Sequence, residues 1–469
     1  MKASDFVTQI RNGDIDVVEH TKKILEEVKK INKEYHYLTV ISEKEAIEQA
    51  KSIAKNPAGK LAGLPVTLKD AICLKGIETT AGSRILQGYK PTFDATVAAR
   101  IKKEGGIIIG KTSQDEFGFG AFSVNVGIGF EKPLNPFDKH RSTGGSSGGS
   151  GGISQKVHFP HISLGESTGG SIVNPASFCG VFGLCPTYGR VSRYGLLDYS
   201  NSLDKIGPMG KYAEDIALMM EVISGFDENE STCSDKPVDE YTKHVGADVS
   251  GMKVGIIKEG FAASNEEVTR HCRNAITALE GLGVECKEIS VPTAIKYGIP
   301  TYYLLSTSEA STNLAKYCGM RYGKHEKLEG GFNDYFTKVR SKNLGQEAKR
   351  RIMLGTFARM AGYRDAYYMK AAAVRAKIIQ EYKKAFKEFD ALVCPTVSVL
   401  PPRFDEIDKF KVVDHYNMDN LTVGPNLAGI PHLNVPVGFE KELPVGLMII
   451  GDHFDEKTLI GLGSALEGK

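Results

Sequence analysis

Two clusters of glycine and serine near the middle of the chain constrain its fold more than any other feature. The first runs from Ser142 to Gly152, where ten of the eleven residues are Gly or Ser, and the second is Thr168-Gly169-Gly170-Ser171-Ile172. Tracts of this composition are usually flexible linkers. Here the second cluster continues into the apolar, glycine-punctuated segment 178–184, which is not typical of a linker. The glycines therefore predict close backbone packing or unusual dihedral angles inside a folded core.

Length and composition indicate a globular enzyme-sized chain. Its 469 residues are 41% hydrophobic and 25% charged, with a net charge of +2. This balance is average for soluble proteins and implies no general affinity for polyanions, although a local nucleic-acid contact stays possible. The eight cysteines are scattered without a C-x-x-C pair, which disfavours a metal knuckle. We see no apolar signal core and no run near the ~20 residues that span a bilayer, so we expect a reduced, cytoplasmic protein without membrane contact.

Helical and strand patterns alternate along the chain, which favours an α/β fold with helices layered on a sheet. Apolar residues recur at three- and four-residue steps through residues 4–55, which predicts helices there. We therefore expect a helical segment, 1–60, packed on a single α/β/α domain, 61–469, whose central sheet is mixed and largely parallel. A capping box at Ser264 and Glu267 predicts a helix to about Leu282, and the Gly- and Lys-rich stretch 323–347 is expected to be mobile. Strands are predicted at 66–68, 107–109, 252–257, 284–291, 391–394, 433–437 and 445–450.

Lys69 stands directly after the predicted buried strand Val66-Thr67-Leu68. Lysine is rarely buried unless it is paired. Lys69 therefore either marks the exposed end of the strand or is an enclosed amine with a chemical role.

The segment Gly105 to Thr112 fits the phosphate-binding pattern G-x-x-x-x-G-K-[ST]. That loop should follow a strand and open a helix. Here the residues between the two glycine positions are themselves strand-like, and Gly118 and Gly120 interrupt any helix after them. A nucleotide-binding module is therefore a disfavoured hypothesis.

Taken together, Lys69 and the two clusters resemble the amidase signature family, whose members use a Ser–cis-Ser–Lys triad. The resemblance covers nearly the whole chain and implies the family's α/β/α sandwich. Within that family, further segments resemble the glutaminase subunits of tRNA-dependent amidotransferases. These segments are 94–97, 110–112, 115–117, 175–181, 186–196, 308–311, 350–356 and 426–431.

The resemblance implies a role for each member of the triad. Ser171 is the expected nucleophile, and Ser147, twenty-four residues before it, is the expected serine on a cis peptide that relays the proton to Lys69. The backbone N–H groups of Thr168, Gly169 and Gly170 are expected to form the oxyanion hole. A lysine is a base only when neutral, and because its ordinary pKa is about 10.4, burial has to disfavour the charged form.

The resemblance also implies how a free glutamine is recognised. A bidentate arginine suits the carboxylate of glutamine and an aspartate suits its ammonium group. The positions that match are Arg351 and Asp419, with Tyr302 nearby, and the sequence leaves open whether Arg350 or Arg351 faces the pocket. Many family members carry Asp before the Thr-Gly-Gly-Ser and Arg two residues after it, where this chain has Ser167 and Val173. We expect those departures to alter the bracing of the loop more than proton transfer.

The implied activity is hydrolysis of glutamine to supply ammonia. A partner B subunit would use it to amidate Glu or Asp carried on tRNA(Gln) or tRNA(Asn), with a small C subunit completing a cytoplasmic heterotrimer. No metal or cofactor is expected in this chain, whereas ATP and Mg are expected on the partner. The alternative is a free-standing amidase of a small or lipid amide, and the Arg351 and Asp419 pair argues against an apolar substrate.

Overall fold

The strands predicted from the apolar runs come together in one sheet. The computed structural model describes residues 1–468, and the sheet within them has the order β1-β3-β2-β4-β6-β5-β10-β11-β9-β7-β8. The strands are β1 Leu38–Ile41, β2 Pro65–Lys69, β3 Ile107–Thr112, β4 Ile162–Ser167, β5 Phe182–Cys185, β6 Lys205–Gly210, β7 Lys253–Ile257, β8 Glu285–Ile289, β9 Ala391–Pro395, β10 His432–Glu440 and β11 Leu443–Gly451.

Helices of very different lengths cover this sheet. They are α1 Ala3–Asn12, α2 Val17–Tyr35, α3 Glu43–Lys55, α4 Thr96–Lys103, α5 Gly148–Lys156, α6 Val173–Cys179, α7 Ala213–Ile223, α8 Lys258–Ala262, α9 Glu266–Gly281, α10 Pro292–Asn313, α11 Phe332–Asn343, α12 Gln346–Arg359, α13 Lys370–Ala385, α14 Phe404–Ile407, α15 Val412–Asn417, α16 Val423–Ala428 and α17 Glu456–Ala465.

The sheet is mixed, as predicted, but it is not largely parallel. Among the ten strand pairings within residues 1–468, β2 with β3, β2 with β4, β7 with β8 and β7 with β9 are parallel, and the other six are antiparallel. The hairpin of β10 and β11 and the strands β5 and β6 insert antiparallel pairs between the two parallel parts. A run of apolar residues carries no direction, so the sequence pattern could not specify this.

The N-terminal segment contributes a strand as well as helices. Asp16 caps α2 by accepting from the backbone N–H groups of Val18 and Glu19. Between α2 and α3, β1 pairs antiparallel with β3 at the edge of the sheet, so the prediction of helix throughout 4–55 is wrong at 38–41. The division into a 1–60 segment and a 61–469 domain stays a prediction, and Lys469 lies outside the described residues.

One smaller prediction is corrected, and one stays a prediction. Ser264 does not cap α9, because its hydroxyl donates to Gly260 O and Asn265 occupies the capping position. The stretch 323–347 contains the helix α11, in which Tyr335 and Val339 are buried, and its mobility stays a prediction.

The first Gly/Ser cluster is buried and its second half is helical, so it is not a linker. Residues 148–156 form α5, and every residue from Gly148 to Ser154 is buried. Its glycines allow close approach: a Cβ on Gly149 would lie 2.4 Å from Tyr37 O, and one on Gly152 would lie 2.1 Å from Tyr37 Cε1. The absence of side chains therefore lets α5 press against the segment that leads into β1.

Candidate active site

Lys69 ends β2 as a fully enclosed amine. The five residues of β2 are all buried, and β2 lies between its parallel neighbours β3 and β4. The Lys69 ammonium Nζ donates to Ser146 Oγ at 2.6 Å and to two oxygens of Glu166, the backbone O at 2.9 Å and Oε2 at 2.8 Å. Three acceptors match the three protons of a lysine ammonium. The interpretation of Lys69 as an exposed strand end is therefore wrong.

Ser146, and not the predicted Ser147, faces Lys69. The cis peptide bond joins Gly145 to Ser146. Ser147 stands at the start of α5, where its hydroxyl donates to the backbone O of Glu166 at 3.1 Å. Ser146 lies twenty-five residues before Ser171 in this chain, so a count of twenty-four selects its neighbour. Since the two hydroxyls have different partners, the one-residue shift moves the contact with Lys69 to Ser146.

Ser171 lies in the loop between β4 and α6, with 7% of its surface exposed. The loop is tied to the first cluster, because Ser147 N donates to Ser171 O at 3.3 Å. Within residues 1–468, the backbone N–H groups of Gly169, Gly170 and Ser171 donate to no protein acceptor. Free N–H groups beside a serine are what an oxyanion hole requires. The assignment of Thr168, Gly169 and Gly170 to that role stays a prediction.

Two predicted substrate residues pack against the glycines before Ser171. A Cβ on Gly169 would lie 2.8 Å from the Tyr302 ring, and a Cβ on Gly170 would lie 2.9 Å from Asp419 Oδ1. Asp419 is buried, and burial raises the pKa of its carboxyl group to about 7, although the charge of Arg351 acts in the opposite direction. Glycine at both positions keeps this approach open.

Arg351 is the buried member of the arginine pair. Its Nε donates to Glu347 Oε1 at 2.8 Å and its Nη1 donates to Tyr199 Oη at 2.9 Å. The rings of Phe119, Tyr199, Tyr303 and Tyr416 surround the guanidinium at 5.1 to 5.8 Å. Within residues 1–468, its Nη2 forms no hydrogen bond, and Arg351 lines a cavity of about 210 Å³. Arg350 lines the same cavity but is about one-third exposed.

Three residues of the site, Glu166, Glu347 and Tyr199, had no role predicted from the sequence. Glu166 contacts Lys69, and Glu347 and Tyr199 orient Arg351. A signal for Glu166 is that it is the one charged residue of the fully buried strand β4, where a carboxylate needs a buried partner. Glu347 and Tyr199 come from distant parts of the chain, so no local pattern connects them with Arg351.

The phosphate-binding hypothesis for Gly105 to Thr112 is wrong. Residues 107–112 form β3, and Lys111 is fully buried against Asp70 Oδ1 at 3.2 Å and Thr79 Oγ1 at 3.0 Å. From the strand next to the one that carries Lys69, the predicted catalytic base, the Lys111 amine forms an internal ion pair with Asp70. A phosphate could not reach it without unfolding the strand.

The described part of the chain has neither a membrane-spanning helix nor a cluster of metal ligands. Within residues 1–468, no helix combines the length and the apolar character needed to cross a bilayer. The same residues contain no group of three or more His, Cys, Asp or Glu side chains placed to hold a metal ion together.

Comparison with known proteins decides the family. The sequence profile described as Amidase matches residues 19–460. The chain belongs to the amidase family. The A subunit of glutamyl-tRNA(Gln) amidotransferase from Cyanothece is 42% identical over 98% of this chain and 96% of its own length. The protein of the same name from Clostridium botulinum is also 42% identical, over 100% of this chain and 96% of its own. The crystal structure of the corresponding protein from Thermotoga maritima superposes with a TM-score of 0.79, at 36% identity, over 95% of this amidase and 90% of the other chain.

Proposed function

We propose that this amidase is the glutaminase subunit of a tRNA-dependent amidotransferase. It would hydrolyse glutamine and supply ammonia to a partner subunit that amidates Glu or Asp carried on tRNA(Gln) or tRNA(Asn). The observation that carries the chemistry is the enclosed 2.6 Å contact between Lys69 Nζ and Ser146 Oγ, next to the loop of Ser171. Relatives of nearly full length that are named as the A subunit of a glutamyl-tRNA(Gln) amidotransferase support the tRNA-dependent setting.

The proposed reaction begins with Ser171 Oγ attacking the side-chain amide carbon of glutamine. As that bond forms, the Ser171 proton passes to Ser146 Oγ, while Ser146 gives its own proton to neutral Lys69. The free N–H groups of the 168–171 loop stabilise the oxyanion. The C–N bond then breaks, the nitrogen takes the proton back through Ser146 and leaves as ammonia. Water, activated by the same pair, hydrolyses the glutamyl ester on Ser171.

Recognition of glutamine is assigned to Arg351 and Asp419, with the Tyr302 ring, which lies against Gly169, bounding the pocket. The Nη2 of Arg351, which has no hydrogen-bond partner within residues 1–468, would bind the substrate carboxylate, and Asp419, beside Gly170, would bind the ammonium group. The fixed contacts of Arg351 with Glu347 and Tyr199 support this role, because they leave that guanidinium pre-oriented.

The proposed partners are a B subunit, which performs the amidation, together with a small C subunit. Charged tRNA would act through the complex, with ATP and Mg bound by the partner. No residue of this chain is assigned to either of those groups, and no step above depends on them.

Alanine variants of Lys69, Ser146 and Ser171 test the proposal when co-expressed with the partner subunits. Each should lower glutamine-dependent ammonia release by at least about 10³-fold, because each interrupts the relay or removes the nucleophile. The matched control is Ser147→Ala, which removes a neighbouring hydroxyl whose hydrogen bonds within residues 1–468 are all to the backbone of Glu166. That variant should stay within about 10-fold of the parent.

Ammonia release at the parental rate by the Ser171→Ala protein would overturn the proposed function. Equal losses for Ser146→Ala and Ser147→Ala would overturn the assignment of the relay to Ser146. A substrate panel separates the alternative, because a free-standing amidase would hydrolyse neutral amides faster than glutamine and would not depend on partners.

A further inference from the structure

Glu166 places a buried carboxylate directly on the proposed base. Its Oε2 lies 2.8 Å from Lys69 Nζ, and the exposed fractions of the two side chains are 4% and 0%. Within residues 1–468, this is the single ion pair that Glu166 forms. The relay from Ser171 through Ser146 to Lys69 does not itself require a carboxylate at this place, so Glu166 calls for its own explanation.

One hydroxyl links the carboxyl groups of Glu166 and Asp204 near Lys69. Thr168 Oγ1 lies 2.9 Å from Glu166 Oε1 and 2.8 Å from Asp204 Oδ1. One hydroxyl proton can serve only one of these oxygens, so the other carboxyl group must bring its own proton. Burial and the nearby charge of Glu166 raise the pKa of Asp204 well above its ordinary value. With a proton on Asp204, that carboxyl group can donate to Thr168 and leave the Thr168 proton for Glu166, whose other oxygen faces Lys69.

Other ionisable groups near this cluster act at longer range. The charges of Asp115 and Lys69 influence each other, Arg193 acts on Asp204, and Glu166 acts on the Cys185 thiol, which lies beside Lys205. Because Lys69 is the ion-pair partner of Glu166 among the described residues, removal of the Glu166 charge should act first on Lys69.

We propose that Glu166 is a positioning residue that holds Lys69 against Ser146 and sets the pH at which Lys69 can accept a proton. This inference rests on the proposed function. A carboxylate in contact with an amine favours its charged form, and an opposite charge within about 4–6 Å commonly shifts a titration by about 1–3 pH units. With Glu166 in place, the proton relay should therefore begin to operate at a higher pH than it would with an uncharged residue at this position.

The test measures how fast a fluorophosphonate labels Ser171 in the full chain at different pH values. In that reaction Ser171 Oγ bonds to phosphorus, fluoride leaves, and the serine proton passes through Ser146 to Lys69. The readout needs neither glutamine nor partner subunits. For Glu166→Gln, the pH midpoint of the labelling rate should fall by about 1–3 units. The matched control is Glu456→Gln, which removes a buried carboxylate paired with Arg190 and should leave the midpoint unchanged.

A second variant keeps the test decisive if the glutamine protein folds poorly. Glu166→Ser also removes the charge and should show the same downward shift, with a lower plateau rate because Lys69 is no longer held. A midpoint that stays in place or rises in the folded variant would overturn the inference while Ser171 is still labelled. If Ser171 of the parent protein is not labelled at any pH, the proposed function itself fails, and this inference fails with it.

Discussion

Asp419 couples substrate binding to pH at the scale of a single residue. Burial raises the pKa of its carboxyl group to about 7, with the charge of Asp115 adding to the effect and that of Arg351 opposing it. Only the ionised form can pair with the ammonium group of glutamine. In a Ser171→Ala background, which separates binding from catalysis, the glutamine Kd should therefore rise about tenfold for each pH unit below 7. Calorimetry between pH 5.5 and 8.5 measures this.

The control for this prediction is Asp419→Asn in the same background. Its Kd should be high and independent of pH across that range, because the titrating carboxyl group is gone. A parent protein that binds glutamine equally well at pH 5.5 and 8.5 would contradict the assignment of Asp419 to the ammonium group.

Residue-level prediction from the sequence succeeded in some places and failed in others for identifiable reasons. The strand before Lys69 left both an exposed and an enclosed amine open; the family resemblance favoured the enclosed one, and Lys69 is buried in the structure. The choice between Ser146 and Ser147 could not be made correctly from the sequence, since two adjacent serines have the same chemistry and only the backbone path decides which faces Lys69. Glu166 was not recognised, because β4 was not among the predicted strands and the partner of Glu166 lies 97 residues away along the chain.

At the scale of an element, α5 shows how a glycine-rich tract can be rigid. Gly152→Ala should lower the free energy of unfolding by about 1–3 kcal/mol, because its Cβ would overlap the buried ring of Tyr37. Gly281 is the last residue of the helix α9, and within residues 1–468 no atom outside the neighbouring residues of its own helix lies within 4 Å of the position that its Cβ would take. Gly281→Ala should stabilise by up to about 1 kcal/mol, because alanine loses less backbone entropy. Denaturant titration compares the two proteins.

A neutral or stabilising effect of Gly152→Ala would contradict the close packing of α5. The same pair of variants separates helix propensity from packing, because propensity favours alanine at both positions.

Elements were predictable where a pattern was long, and unpredictable where pairing decided the structure. The apolar runs located β2, β3, β7, β9, β10 and β11, because most residues of these strands are buried. Strand β1 has four residues between two amphipathic helices, so its conformation depends on pairing with β3. The direction of each pairing depends on connections elsewhere in the chain, which explains why the antiparallel share of the sheet was underestimated.

For the molecule as a whole, the proposed assembly needs a surface for the partner subunits. Exposed apolar side chains cluster on α12 and just after it, and we call them the α12 patch: Met353, Phe357, Met360, Tyr363 and Tyr367. Phe357 lies at the centre, with its ring 4.5 Å from Tyr363 and 5.7 Å from Tyr367. Large clustered aromatic and methionine side chains are typical of interface cores, whereas scattered exposed apolar residues are ordinary.

Phe357→Asp should therefore weaken binding of the partner subunits by at least about 30-fold, because a charge would be buried at a position where truncation alone commonly costs about 2 kcal/mol. Sedimentation or surface-capture measurements with purified partners give the Kd. The matched control is Phe226→Asp, a phenylalanine that is 59% exposed away from the α12 patch and should leave the Kd unchanged. Labelling of Ser171 in the isolated chain should be the same in both variants, since neither residue contacts the candidate active site. Equal partner affinity for both variants would show that the partners bind elsewhere and that the α12 patch serves another purpose.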